Sequence, residues 1–598
     1  MSTAILTGPP APGSSIEDDL RTLGFEVRVA SGTAEAETLL AQVPGDRRVA
    51  IVDARFVGHQ HALRLGLTDP RFPLAAVPGA VTAQPAGRQA LTRAMARERS
   101  AEGAVLVDSL PDRIIAALDT DGADLHRPAL GTLVAVVPPD PQARNEARQA
   151  VAAVDDEAVR LKSAVKARDG FFTTFFVSPY SRYLARWCAR RGLTPNQVTT
   201  ASLLTALIAA GCAATGTRGG FVAAGVLLIA SFVLDCTDGQ LARYSLQYST
   251  LGAWLDATFD RAKEYAYYAG LALGAARGGD DVWALALGAM VLQTCRHVVD
   301  FAFNEANAGD TDASANTSPT AALSDKLDSV GWTVWARRMI VLPIGERWAM
   351  IAVLTAVTTP RITLTVLLIG CALAATYTTA GRVLRSLTRK AQRTDRAAQA
   401  LRDLADSGPL SELLGRFAPR VPAPLAAGLG GALVVISAAL WGAGWATAGA
   451  AVLCTALSAV AVARPLKGAL DWLVPPFFRA AEYGTVLLLA AESEVNGALP
   501  AAFGLVAAVA YHHYDTVYRI RGNAGAPPAW LVRVVGGHDG RTLLVALLAA
   551  LLTGEWFAVA LTVLAVAVAL VVLVESVRFW VASHREGAPA VHDEGEPA

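Results

Sequence analysis

Four aspartates stand close together in a part of the chain that is otherwise apolar: Asp235 and Asp238, then Asp256 and Asp260. On a helix, Asp235, Asp238 and Ala242 follow i, i+3, i+7 and share one stripe. Gly252, Asp256 and Asp260 follow i, i+4, i+8 and share a stripe of the next helix. Packed stripe to stripe, the two helices bring four carboxylates into one small pocket. Like charges so close cannot stay unpaired. No matching set of lysines or arginines lies beside them in the sequence, and Arg243 alone is too little. A divalent cation, or two, resolves the repulsion, and all-oxygen ligands suit Mg²⁺ or Mn²⁺ rather than zinc. Hard cations held this way commonly hold a phosphate or pyrophosphate in turn. Gly239, Ala242 and Gly252 lack bulk, which lets a flat base and sugar approach the helix backbones.

The elements that must position these residues are apolar segments of near-spanning length. Six are expected, over about 197–214, 219–237, 252–275, 281–303, 346–359 and 362–381. The aspartates fall at the ends of the second and third, where charge is costly and therefore points to function. Of the 598 residues, 53% are hydrophobic and 17% charged, and mean hydropathy is +0.38. That balance requires a bilayer as partner. The 52 basic and 52 acidic residues cancel, so charge points to no nucleic acid. Six cysteines are scattered without a CxxC pair, which suits buried small residues better than a disulfide framework or zinc site.

Basic clusters precede the first span (Arg182 to Arg191) and follow the sixth (Arg382, Arg385, Arg389, Lys390, Arg393, Arg396). An even number of spans puts both on one side, and the positive-inside rule makes it cytoplasmic. The expectation is a multi-pass cell-membrane protein with its active site and both termini facing the cytoplasm. The start of the chain lacks the pattern of a secretory signal.

The domain reading follows. Residues 1–165 form a cytoplasmic α/β domain with a mostly parallel sheet, its strands expected at Thr3–Leu6, Glu26–Val29, Val49–Asp53, Ala104–Asp108 and Thr132–Val137. Residues 166–195 hold an interfacial amphipathic helix, with Arg182, Arg186 and Arg190 on one face and Tyr183, Leu184 and Trp187 on another. Residues 196–394 are an all-α polytopic membrane domain of six helices. Residues 395–421 are a charged linker, 422–582 a second membrane block of roughly six helices, and 583–598 a disordered tail.

The pattern Asp-x2-Asp-Gly-x2-Ala-Arg-x8-Gly-x3-Asp-x3-Asp, running from Asp235 to Asp260, resembles the signature of the CDP-alcohol phosphatidyltransferases, and every fixed position is present. Thr194-Pro195-Asn196 resembles a second recurrent feature of that family. The resemblance covers about 170–390. It implies transfer of a substituted phosphate from a CDP-alcohol donor, either CDP-diacylglycerol or a CDP-polyol, to the hydroxyl of a lipid or polyol acceptor, with release of CMP. It implies Asp235, Asp238 and Asp256 as metal ligands, and Asp260 as catalytic base that also touches a second metal. It implies Gly239, Ala242, Arg243 and Gly252 as nucleotide contacts, with Asn196 near the cytidine. Arg261, Lys263 and Arg296, with His297 and Asp300, are weaker candidates for an acceptor-phosphate site.

Lys166 to Phe171 and Ser178 to Arg182 resemble the junction of two-domain inositol-phosphate enzymes, in which a cytidylyltransferase precedes the phosphotransferase. The first domain then resembles a degenerate nucleotidyltransferase, because Gly8-Pro9-Pro10-Ala11-Pro12-Gly13 lacks the backbone donors of a phosphate-cradling loop; an α/β scaffold of another family is the alternative. Finally, Trp254 to Tyr265 aligns with Trp472 to Tyr483, seven of twelve positions matching, while Asp256 becomes Val474 and Asp260 becomes Phe478. His297 and Asp300 align with His512 and Asp515. A duplicated unit that lost its metal ligands would explain this. The family's habit of pairing then implies either a homodimer or an internal pseudo-dimer. A polytopic transporter and a non-catalytic scaffold are the readings from other classes.

Overall fold

The computed structural model describes residues 2–100, 109–166, 169–308, 335, 339–388 and 393–585. The expected strand Ala104–Asp108, the basic residues Arg389 and Lys390, and the tail from residue 586 lie outside these.

The N-terminal domain is a five-stranded sheet, order β2-β1-β3-β6-β5, with helices packed against it. Strands β1 (Ser2–Thr7), β2 (Phe25–Ala30) and β3 (Val49–Asp53) run parallel, as their separation by helices α1 (Ile16–Thr22) and α2 (Thr33–Gln42) requires. A short pair, β4 (Val57–Gly58) and β7 (Ala135–Val136), lies apart, so the expected strand Thr132–Val137 shrinks to two residues. The sequence reading missed the hairpin of β5 (Leu74–Val77) and β6 (Ala80–Ala83), which makes half of the sheet antiparallel. Its turn is Pro78-Gly79, with Gly79 at φ +77°, the residue pair a type II turn prefers. Helices α3 (Gln60–Thr68), α4 (Arg88–Ser100), α5 (Leu110–Thr120), α6 (Pro141–Ala152) and α7 (Asp156–Ser163) complete the domain. In the Pro-rich loop after β1, the Gly8 N–H already donates to the Ala30 carbonyl at 2.8 Å.

The rest is helical. Helix α8 (Ser178–Arg190) leaves Tyr183 and Trp187 exposed. Helices α9 (Pro195–Ala214), α10 (Arg218–Ser245), α11 (Thr250–Arg277), α12 (Trp283–Asn307), α13 (Ile344–Val357) and α14 (Pro360–Thr388) follow. Residues 395–420, expected as a charged linker, contain two helices. Helix α15 (Asp395–Ala405) buries Leu401 and Leu404 in the common core, and α16 (Pro409–Leu414) follows. The chain then forms α17 (Ala423–Trp441), α18 (Trp445–Val462), α19 (Val474–Glu492), α20 (Ala498–Arg521), α21 (Ala529–Val535), α22 (Gly537–Leu551) and α23 (Glu555–Arg585). Among the described residues, seven helical segments are long and apolar enough to cross a membrane; α11 and α12, which carry several charges, are not among them. The chain is a multi-pass membrane protein.

Buried ion pairs tie these helices together, and they recur. Arg261 pairs with Glu264 at 2.9 Å, and Arg347 approaches Glu264 at 3.2 Å. Arg479 pairs with Glu482 at 2.8 Å, and Arg541 with Glu482 at 2.5 Å. Arg382 pairs with Asp300, while Ser576 donates to Asp515 at 2.6 Å.

The N-terminal domain grips the turn between α10 and α11. Arg64 and Arg160 both donate to the Tyr244 carbonyl, Arg160 at 2.9 Å. The Arg160 guanidinium also stacks 3.7 Å over the Tyr244 ring, and the Tyr244 hydroxyl donates to Glu157 at 3.1 Å. Arg160→Ala removes one hydrogen bond and one cation–π contact, worth about 1–2 kcal/mol together. The expected outcome is faster limited proteolysis between residues 163 and 170, with the N-terminal domain itself still folded; an unchanged cleavage rate contradicts this anchoring.

Candidate functional site

Two helix starts and one helix end build the site. Helix α9 opens with a capping box, in which Thr194 accepts from the Gln197 N–H and Gln197 accepts from the Thr194 N–H. Pro195 follows at the first turn, which sets Asn196 at the mouth of the helix. Helix α11 is capped by Ser249, whose hydroxyl accepts from the Gly252 N–H at 2.9 Å. Helix α10 ends at Leu246 in the left-handed conformation, φ 52°. Both α10 and α11 pack on α9, which aligns their acidic stripes.

The stripes meet. One oxygen each from Asp235, Asp238 and Asp256 lie within 4.8 Å of one another. Asp238 is buried, and its Oδ2 has no hydrogen-bond partner. An orphaned buried carboxylate oxygen aimed into a cluster of carboxylates is what a cation ligand looks like before the cation is considered. These three residues can together hold a metal ion.

The structure corrects the sequence reading on compensating charge. Lys263 is fully buried and donates to Asp235 and to Asp260, the latter at 3.1 Å. It lies one helical turn beyond Asp260, on the same face, and the sequence reading assigned it to the acceptor instead. Arg261, 4.0 Å from Asp260, adds a second cation that it shares with Glu264, so four carboxylates still outnumber their counter-charges and Lys263 reduces the need for a cation without removing it.

The cluster lines a cavity of about 930 Å³. Gly239, Ala242, Arg243, Gly252 and Asn196 line it, as do all four aspartates. A Cβ on Gly252 would stand 2.7 Å from the Asn196 Oδ1 and 2.8 Å from the Ser249 Oγ, so this glycine is needed for the caps and helices to close together. A Cβ on Gly239 would meet only Arg243, at 3.5 Å; its bareness serves the cavity rather than the packing. Arg243 is held by donation to the Ala164 carbonyl at 2.6 Å. Beside it, Arg71 of the N-terminal domain stacks 4.0 Å over the Tyr248 ring, and both side chains line the cavity. Burial pushes the Tyr248 phenol above its ordinary range, against the opposing pull of Arg71.

The expected acceptor cations do not reach this cavity. Arg261 is taken by Glu264 and stacks 5.5 Å over the Tyr514 ring. Arg296 donates to the Val341 and Leu342 carbonyls. Lys263 lies beneath the aspartates. His297 is bonded to Gln293 and Tyr514, and Asp300 to Arg382. The cations that do line the cavity are Arg71, Lys166, Arg382, Arg385, Arg393, Arg396 and Arg521, besides Arg243. The basic run after the sixth span was legible as a topology signal only; nothing local marks Arg71 or Arg521.

Residues 192–378 match the CDP-alcohol phosphatidyltransferase family, and residues 395–598 match a family of unknown function (DUF5941). The first region is a CDP-alcohol phosphatidyltransferase domain. Over 131 residues the chain is 37% identical to a phosphatidylinositol phosphate synthase of Streptomyces avermitilis, covering 21% of this chain and 51% of that protein. It is 30% identical to an archaetidylinositol phosphate synthase of Pyrococcus horikoshii, covering 19% and 58%. It is 31% identical to a bifunctional IPC transferase and DIPP synthase of Aquifex aeolicus, covering 19% and 26%. The chain thus spans about half, or less, of the length of these relatives.

Removing one ligand tests the metal reading without turnover. At a Mg²⁺ or Mn²⁺ concentration a hundred times Kd, binding stabilises the folded protein by about 2.7 kcal/mol. The expected outcome is a rise in melting temperature with either ion for the intact protein and none for Asp238→Asn. Equal shifts in both proteins rule out this site as the ion's seat.

Proposed function

We propose that this chain transfers a substituted phosphate from a CDP-alcohol to an acceptor hydroxyl, forming a phosphodiester and releasing CMP. The single observation that carries the reading is the convergence of Asp235, Asp238, Asp256 and Asp260 from two helices on the wall of a large cavity. A transporter reading has less support, because the carboxylates sit beside bare glycines and arginines suited to a nucleotide.

In this reading Asp235, Asp238 and Asp256 hold one or two ions, Mg²⁺ or Mn²⁺ by the hardness of their ligands. Bound there, such an ion neutralises the donor pyrophosphate and eases departure of CMP. The chain's own residues do the rest. Gly239, Ala242 and Gly252 let the base and ribose lie against α10 and α11, with Asn196 at the cytidine end. Arg243, anchored through Ala164, sits by the phosphates. Asp260 takes the proton of the acceptor hydroxyl as its oxygen attacks the phosphorus that bears the alcohol, and the bond from that phosphorus to CMP breaks. Lys263, 3.1 Å from Asp260, holds that carboxylate in position between turnovers.

The relatives' names favour a donor with a lipid tail and a polyol-phosphate acceptor, so CDP-diacylglycerol with an inositol-phosphate-like acceptor is the first pair to try. A soluble CDP-polyol donor with a lipid acceptor is the second. The basic residues around α8 and after α14 favour a cytoplasmic site.

The membrane region reads as two six-helix units, α9–α14 and α17–α20 with α22 and α23, the second a duplicate without metal ligands. The recurring contacts support this. Arg261, Glu264 and Arg347 correspond to Arg479, Glu482 and Arg541, and Asp300 with Arg382 corresponds to Asp515 with Ser576; Arg347 and Arg382 map to their counterparts by the same shift in sequence number. Helices α9, α10 and α11 pack on one another as α17, α18 and α19 do, with α17 against both α18 and α19. The second unit would then stand as an internal pseudo-partner. The N-terminal domain, with its blocked Pro-rich loop, reads as a former nucleotidyltransferase that now serves as a clamp.

Membranes holding the protein are incubated with Mg²⁺ and each donor–acceptor pair, and CMP is measured. Release is expected with one pair, and Asp260→Asn is expected to lower it by at least about 100-fold. Undiminished release by that variant, or none with any CDP-alcohol, would overturn the reading.

A further inference from the structure

Residue 71 lies outside the regions that match a family, and Tyr248 falls among the unspecified positions of the motif, between Arg243 and Gly252. The fold brings both to the wall of the cavity that the aspartates line. Arg71 comes from the loop between α3 and β5. Its Nε and Nη2 donate to the two oxygens of Asp69, at 3.0 and 2.7 Å, and its backbone N–H donates to the same carboxylate at 3.0 Å. Asp69 is buried, so the guanidinium fork has little freedom to turn. Held in this way, it lies 4.0 Å over the Tyr248 ring. A cation–π contact between two domains thus fixes the ring in the turn between α10 and α11.

The ring is fixed, but its hydroxyl has no use inside the protein. Among the described residues the Tyr248 hydroxyl has no hydrogen-bond partner, and it is not sealed from solvent. The Tyr244 hydroxyl, four residues earlier, donates to Glu157. The neighbours of Tyr248 are the residues that the motif gives to the nucleotide. Ser249, the next residue, caps Gly252, and Gly252 stands against Asn196. Arg243 is near enough to act electrostatically on the Tyr248 phenol. Ser249, Gly252, Asn196 and Arg243 line the same cavity as Tyr248. A phenol hydroxyl can both donate and accept, and a pyrimidine nucleoside presents acceptors and donors on its base and on its ribose.

We infer that the Tyr248 hydroxyl binds the nucleoside of the CDP-alcohol donor, and that Arg71 and Asp69 of the N-terminal domain are the positioning residues that hold it there. The inference rests on the phosphotransferase reading and deepens it. A metal held by the aspartates grips the pyrophosphate, which every nucleoside diphosphate carries. A contact to the nucleoside adds recognition that the metal cannot supply. The N-terminal domain then does more than clamp the turn, because it sets the side chain that meets the donor.

The test uses the full chain in nanodiscs with Mg²⁺ and the donor–acceptor pair that supports CMP release. Tyr248→Phe keeps the ring and its contact with Arg71 and removes only the hydroxyl. It is expected to raise donor KM about 5-fold, as loss of one hydrogen bond predicts, with kcat and acceptor KM little changed. Arg71→Ala is expected to raise donor KM by a similar factor, and Arg71→Lys, which keeps a cation at the ring, to recover part of the loss. CMP and inorganic pyrophosphate serve as competing inhibitors. Tyr248→Phe should weaken inhibition by CMP and leave inhibition by pyrophosphate as it was. An unchanged donor KM and unchanged CMP inhibition in well-folded Tyr248→Phe overturn the inference and leave the phosphotransferase reading standing. Equal weakening of CMP and pyrophosphate inhibition assigns the effect to the aspartate cluster and also overturns it. A donor KM that rises in Tyr248→Phe but not in Arg71→Ala overturns the positioning role of the N-terminal domain. Turnover that survives Asp260→Asn overturns both the inference and the reading beneath it.

Discussion

Negative charge gathered and buried between packed helices is costly, and the arrangement around Asp235, Asp238, Asp256 and Asp260 answers that cost. Burial removes water that would otherwise solvate the carboxylates. Lys263 supplies one internal counter-charge, bonded to Asp235 and Asp260, and leaves Asp238 with an oxygen that no protein group satisfies. The site is therefore poised between collapse and ligation. It is rigid enough to hold its side chains together, and short of positive charge by an amount that a hard cation supplies.

Everything that surrounds the cluster serves to keep two helix stripes in register. The Thr194 and Ser249 caps fix where α9 and α11 begin, and the bareness of Gly252 lets those two starts meet. The turn between α10 and α11, on which the spacing of the two stripes depends, is held from outside by Arg64, Arg160 and Glu157 of the N-terminal domain. That domain thus positions the site whatever its own ancestral chemistry was. On the opposite side the second helical unit packs against α11 and α12 through Trp580, Tyr514 and α19.

The corrections to the sequence reading share a cause. In the sequence, Lys263, Arg261 and Arg296 are distinguished only by being basic and near the motif, which suggests acceptor cations. In the fold, one lies under the aspartates and two are spent on Glu264 and on backbone carbonyls. The hairpin β5–β6 escaped notice because Leu74–Val77 and Ala80–Ala83 are too short and too rich in alanine for an alternating pattern to stand out. Residues 395–405 carry enough charge to resemble a linker, yet their apolar positions fall on one face and bury Leu401 and Leu404.

The amino-acid order by itself determined the acidic motif, the stripes it makes, the small residues beside it and most of the apolar helices. These depend on helix periodicity and on transfer of side chains from water, and both operate over a few neighbouring residues. Tertiary structure alone decided that a lysine neutralises part of the cluster and that Arg71 and Arg521 reach a cavity far from them in the chain. Lys263 meets Asp260 within one helical turn, but it meets Asp235 28 positions away, and the arginines reach the cavity from other parts of the chain. These contacts follow from how whole helices pack, which no local pattern encodes.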